Sequence, residues 1–191
     1  MAIKKKEGNC MNLCNYDGYI EDTELYLRIR PSSRYLPISK EDEFLVCVDD
    51  LLKNETVIKS KKYVQHGSTN CYQHQLSVSY YTYKICKALR LNYYEAARGA
   101  MLHDLFLYDW HDLTGKDRMT HPINHPKVAL DNAKKHFLLT AIEEDIIYNH
   151  MWPLTLFRIP KYAETYVVTL VDKMCCIAEI IGNFKNNKAT E

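Results

Sequence analysis

Ala96-Ala97-Arg98-Gly99-Ala100-Met101-Leu102-His103-Asp104-Leu105-Phe106 runs small and apolar, at helical spacing, straight into an adjacent histidine and aspartate. His103 and Asp104 continue the two faces set by Ala96/Ala100 and Ala97/Met101, so the pattern predicts a core helix with a charge aimed inward at its end. An unpaired carboxylate is costly to bury, and Asp104 therefore needs a fixed positive partner. The imidazole beside it makes a metal ion a good candidate.

Upstream, Asn70 and Gln73 have the spacing of a capping box, predicting a helix over 71–91. His74 heads its apolar stripe of Val78, Tyr81, Ile85 and Leu89. Alone, His74 reads better as a core histidine bonded to a carbonyl than as a ligand. The connection at 92–94 is short, and the next helix starts at Glu95. Two helices so joined pack antiparallel, which would carry His74 towards His103 and Asp104. Further back, 65–70 reads as a polar turn containing His66, a weaker candidate. A helix over 43–52 buries Phe44, Leu45, Val48, Leu51 and Leu52, and a second short helix runs to Val64. Residues 1–40 form an irregular polar arm with a short helix at 23–29, and 41–191 form one helical domain.

Downstream, 108–118 is a charged loop that suits either the rim of a site or plain solvent. Pro126 is placed as the first residue of a helix, with His125 as its N-cap and Val128, Ala129, Ala133 and Phe137 as its buried side. Thr140 and Glu143 form a second capping box, followed by Ile142, Ile146 and His150 on one stripe. Trp152-Pro153 ends that helix, and a loop through Arg158 and Pro160 leads to a last one over 163–181. This helix is apolar nearly all round, which predicts a central position, and Asp172 stands in its middle. A hydroxyl, a salt bridge or a metal would each satisfy that carboxylate.

Composition sets the frame. The 191 residues, 47% hydrophobic, suit one globular domain with a sizeable core, and only six Gly and six Pro argue against a loop-rich chain. With 25 Lys+Arg against 24 Asp+Glu, the net charge of +1 gives no overall field towards nucleic acid or an anionic membrane. Seven cysteines, an odd number without paired spacing, predict reduced thiols. Cys10 and Cys14 lack a second pair at zinc-finger spacing, and Cys175 and Cys176 are too close to bridge each other easily. Without a secretory leader or a run of about 18 apolar residues, the expectation is a cytoplasmic protein with no membrane span.

The order His74, His103-Asp104, His125, His150, Asp172, with Tyr72-Gln73-His74-Gln75-Leu76-Ser77-Val78, Ala100-Met101-Leu102-His103-Asp104 and Leu170-Val171-Asp172-Lys173 around it, resembles the HD superfamily of metal-dependent phosphohydrolases. The resemblance covers about 65–181 and implies an all-α, HD-domain-like helical bundle. It further implies that His74, His103, Asp104 and Asp172 bind a divalent metal, and His125 and His150 match the pattern of two-metal members. Such a donor set suits one or two ions of Fe, Mn, Ni, Co or Zn. The implied activity is cleavage of a phosphate mono- or diester, of a nucleotide, by metal-activated water, with Asp104 and Lys127 in the catalytic machinery. Lys127, Arg158 and Lys173 are the candidates to bind the phosphate. The same six-ligand pattern also serves HD-type di-iron oxygenases, and the fold serves non-enzymatic nucleotide-sensing modules. Many relatives follow the HD pair with a small residue, Gly and Lys. Here Leu105-Phe106-Leu107-Tyr108-Asp109 follows, leaving Asp109, His111, His66 and His121 as further residues that could line the site. The oligomeric state is left open.

Overall fold

The computed structural model describes residues 40–188, with side chains over 43–181. The expected arm, apart from Lys40, its helix at 23–29, and Cys10 and Cys14 lie outside the described residues. Within them the protein is all-α: α1 (Lys40–Leu52), α2 (Glu55–Ile58), α3 (Cys71–Ala88), α4 (Tyr93–Leu102), α5 (Gly115–His136), α6 (Ala141–Asn149) and α7 (Ala163–Lys188). Short 3-10 turns occur at Lys59–Lys62 and Trp110–Asp112, and a small antiparallel pair, β1 (Val64–His66) and β2 (Thr69–Asn70), precedes α3. No described helix is long and apolar enough to cross a membrane.

Helix α4 lies between two apolar clusters, because its two small-residue faces differ in partner. Ala96 and Ala100 pack with Val78, Cys86, Ile146, Val168 and Val171. Ala97, Met101 and Leu102 pack with Phe44, Val48, Leu51, Tyr83 and Ile147. Small side chains let neighbouring helices approach closely, and Gly99 shows how closely: a Cβ there would stand 2.9 Å from Ile146 Cδ1. Arg98 turns to the edge of this packing. It donates to Asp50 at 2.5 and 2.9 Å, to Glu143 at 2.9 Å and to the Cys47 carbonyl at 3.1 Å, tying α1 and α6 to α4.

Both capping boxes form, at Asn70/Gln73 and Thr140/Glu143. Helix α3 ends at Ala88, short of 91, because Arg90 adopts the left-handed conformation at φ 59°. The Arg90 and Leu91 amides then bond back to Lys87 and Cys86, a Schellman-type stop without glycine. Helix α4 begins at Tyr93, capped by Asn92, two residues before the expected start. The pair packs antiparallel as predicted, and Ser79 Oγ donates to the Ala97 carbonyl at 2.7 Å between them.

Four further expectations are corrected. The short helix expected to reach Val64 gives way to a 3-10 turn and β1, where Gly67, at φ 59°, lets the chain reverse into β2. The α3 stripe leaves the core after Tyr81: Ile85 and Leu89 are exposed, and burial passes to Ser79, Thr82, Tyr83 and Cys86. Helix α5 starts at Gly115 and runs through both Pro122 and Pro126, so His125 lies inside it and is not its N-cap. Its first turns are polar and mostly exposed, which hid them from a reading based on apolar periodicity. Helix α7 is not buried all round. It buries Val168, Val171, Asp172, Cys175 and Glu179, while Tyr166, Leu170, Met174, Ile177 and Ile181 face outward.

Candidate metal centre

The turn that ends α4 sets the first two groups. His103 is the C-cap residue, and its Nδ1 donates to the Ala100 carbonyl at 2.7 Å, one of the acceptors a helix end leaves open. His150 repeats the device at the end of α6, donating from Nδ1 to the Ile147 carbonyl at 2.9 Å. His125, within α5, donates from Nδ1 to the His121 carbonyl at 3.0 Å. A carbonyl only accepts, so each of these rings carries its proton on Nδ1 and directs Nε2 into the interior. His74, in the first turn of α3, has Nδ1 on the Glu179 carboxylate at 3.0 and 3.2 Å. After the HD pair, Leu107 holds a left-handed φ of 59°, and Asn132 of α5 donates to the Leu105 carbonyl at 3.0 Å, fixing α5 against this turn.

The four Nε2 atoms converge on two carboxylates. Asp104 Oδ2 lies 3.4 Å from His103 Nε2 and 3.9 Å from His74 Nε2, while Asp172 Oδ1 lies 3.6 and 3.1 Å from the same two atoms. The other oxygen of Asp104 faces away: Oδ1 is 3.1 Å from His125 Nε2 and 3.6 Å from His150 Nε2. All six residues are buried. His74, His103 and Asp104 form one group that could hold a metal ion, and Asp104, His125 and His150 form another.

Two observations fit cations here. His103 Nε2 and Asp104 Oδ1 are buried without a hydrogen bond, although buried polar atoms are nearly always bonded. His125 Nε2 and His150 Nε2 stand 2.9 Å apart, and with both protons on Nδ1 their lone pairs face each other. A cation between or beside them relieves that repulsion.

The electrostatics separate the two groups. Burial opposes protonation of His74, but the carboxylates of Asp172 and Glu179 outweigh it and hold the ring well above the ordinary imidazole range. Burial likewise opposes protonation of His103, which Asp104 and Asp172 nevertheless push up to about 9. For His150 the balance goes the other way: burial, then the repulsion of His103 and His125, outweighs Asp104 and Asp172 and pushes it down to about 3. Both aspartates pay for burial, yet the surrounding imidazoles hold them well below the usual carboxylate range.

The structure thus brings together His74, His103, Asp104, His125, His150 and Asp172. The three candidate phosphate-binding cations fare differently. Lys173 stays near, with Nζ 4.0 Å from Asp172 Oδ2 and bonded to the His150 and Thr169 carbonyls. Lys127 turns to solvent and pairs with Asp131 at 2.7 Å. Arg158 bonds the Ile123 carbonyl and lies over the Tyr148 ring, bracing α5 and α6. Asp109 caps the Trp110–Asp112 turn and pairs with His111, away from the cluster's own contacts. His121 does flank the cluster: its ring is 4.9 Å from that of His125, and the Tyr108 hydroxyl lies 2.8 Å from its Nδ1. Burial, then His125, pushes His121 down to about 4, leaving Nδ1 to accept from that hydroxyl.

Glu179 and Gln65 were not read from the sequence. Glu179 follows Asp172 by seven residues, two helical turns on the same face, a spacing that would have marked it. Gln65 donates to Asp104 Oδ2 at 2.8 Å and accepts from Cys71 Sγ at 3.1 Å, and nothing local in its turn announces that.

No family model, curated protein or solved structure matches this chain.

Proposed function

We propose that the protein is an HD-type metal-dependent phosphohydrolase that cleaves a phosphate mono- or diester, of a nucleotide. The observation that carries this reading is the division of Asp104, with Oδ2 towards His74 and His103 and Oδ1 towards His125 and His150. His74, His103, Asp172 and Asp104 would hold one divalent ion, and His125, His150 and Asp104 a second. Imidazole with carboxylate suits Fe, Mn, Co, Ni or Zn. Bound as a pair, such ions supply an activated water and polarise the phosphoryl oxygens.

The chain's own residues do the positioning. The Nδ1 bonds hold the imidazoles of His103, His125 and His150 with Nε2 inward, and Gln65 steadies the Asp104 carboxylate. Lys173 is the cation available to a non-reacting phosphate oxygen, a role that Lys127 does not fill from its exposed pair with Asp131. Tyr108, Trp110 and His121 make an aromatic wall beside His125, with the Trp110 and His121 rings stacked within 8° of parallel. Such a wall suits a nucleobase, whose flat face stacks on any aromatic ring.

The test is elemental analysis of protein purified without chelator, followed by phosphate release from p-nitrophenyl phosphate, its diester and a nucleotide set. The reading expects about two equivalents of transition metal and metal-dependent turnover. Bound iron with O₂ consumption and no phosphate release would replace it with an oxygenase, and bound metal with neither reaction would leave a binding module.

A further inference from the structure

On the side of the centre away from His125 and His150, a sulfur joins the donors. Cys176 lies one turn after Asp172 on α7, and its thiol donates to Asp172 Oδ1 at 3.6 Å. That same oxygen is the one His74 and His103 approach, at 3.1 and 3.6 Å. His74, Asp172 and Cys176 together form a third group with ligand atoms in reach of one ion. Beyond the sulfur stands His66, with Nε2 3.2 Å from Sγ, placed there by the β1–β2 hairpin. Its ring meets that of His74 edge-on, with centroids 6.0 Å apart. An independent sign of an incomplete site comes from His103 Nε2, fully buried, without a hydrogen bond and directed to the same oxygen.

Neighbouring Cys175 offers no alternative. It follows α7 round to the other side and packs in the apolar cluster with Val168 and Val171. The two adjacent thiols therefore serve different purposes, one core volume and the other a donor beside the carboxylates.

We propose that Cys176 is a thiolate ligand to the ion held by His74, His103, Asp104 and Asp172, with His66 as the hydrogen-bonding partner of its sulfur. The inference rests on the metal-centre reading above. Binding exchanges a proton for the metal: the S–H bond breaks, the S–metal bond forms, and the proton leaves to solvent by way of the His66 imidazole. The consequence is a difference in metal preference between the two halves. A thiolate favours zinc, iron or cobalt over manganese or magnesium, whereas Asp104, His125 and His150 carry no sulfur.

Cobalt(II) is the probe, added to the metal-free full chain of the wild type, Cys176→Ser, Cys176→Ala and Cys175→Ser. The proposal expects visible ligand-field bands in all four and an intense near-ultraviolet thiolate-to-cobalt band in the wild type and Cys175→Ser only. Ligand-field bands with no near-ultraviolet band in the wild type would overturn the thiolate ligand and leave the metal centre standing. Persistence of that band in both Cys176 variants would assign it to another cysteine and overturn the proposal likewise. Absence of any cobalt band in the wild type would overturn the metal centre itself, and the ligand with it. Retained ligand-field bands in the alanine and serine variants show that a lost sulfur signal is not lost folding.

Discussion

Behind His74 stands a buried carboxylate, Glu179, whereas among the described residues main-chain carbonyls stand behind His125 and His150. The half of the centre around His74 and His103 also has Asp172 and one oxygen of Asp104, while the half around His125 and His150 has only the other oxygen of Asp104. The same side-chain type is thus set in two electrostatic climates. In the carboxylate-rich half the carboxylates favour the protonated imidazoles when no metal is bound, so an entering ion competes with protons. In the other half, His150 stays neutral and offers its lone pair at once, but to a site with little negative charge. The lesson is that proton count and ligand count are separate variables: the half that binds an ion more strongly should also be the one more sensitive to pH.

Asp104→Ala should have the largest effect, because it removes the one group common to both halves. Elemental analysis should find metal lost from both halves and phosphate release abolished, with helical circular dichroism retained. His150→Ala breaks the comparison on one side. It should leave about half of the wild-type metal content, since it touches one of the two proposed ion sites. Loss of all metal in that variant would mean that the halves fill only together.

Glu179→Gln sharpens the other side. It keeps the hydrogen bond to His74 Nδ1 and removes the charge, so metal affinity of that half should fall roughly 10–100-fold, while the His125/His150 half is little affected. Competition titration with a chromogenic chelator would measure it.

The pH response follows from the raised imidazoles. His103 carries a folded-state value of about 9 against an ordinary 6.5, so between these values the folded metal-free protein binds more protons than the unfolded chain. Stability of the metal-free protein is therefore expected to decline as pH rises from 6.5 through about 9, by a few degrees in Tm. His74 acts in the same direction. Metal-loaded protein, with the ion in place of those protons, should lack this decline. The smallest effect belongs to Lys127→Ala: removing an exposed pair with Asp131 should leave metal content, KM and Tm unchanged. A large rise in KM would return Lys127 to the site.

Much of the fold was legible because helices announce themselves locally. The stripes ending in His103-Asp104 and His150 and the caps at Asn70 and Thr140 depend on residues three or four apart, and the structure keeps all of them. Legibility failed where tertiary packing overrode local signals. His125-Pro126 reads as a helix start, yet α5 passes through it and through Pro122 before it. The apolar residues of α7 read as burial all round, yet one whole face stays exposed.

The sequence alone singled out six residues that the structure brings together, four histidines and two aspartates, each at the end or on the inner side of a helix whose period and caps are set by near neighbours. Only the tertiary structure decided how they are shared. Asp104 is divided between imidazoles carried by four different helices, and the Glu179 carboxylate behind His74, the Gln65 amide on Asp104 and the pairing of His66 with Cys176 join residues between 39 and 110 positions apart. No local period encodes contacts at that range, because they arise only when antiparallel helices bring distant ends together.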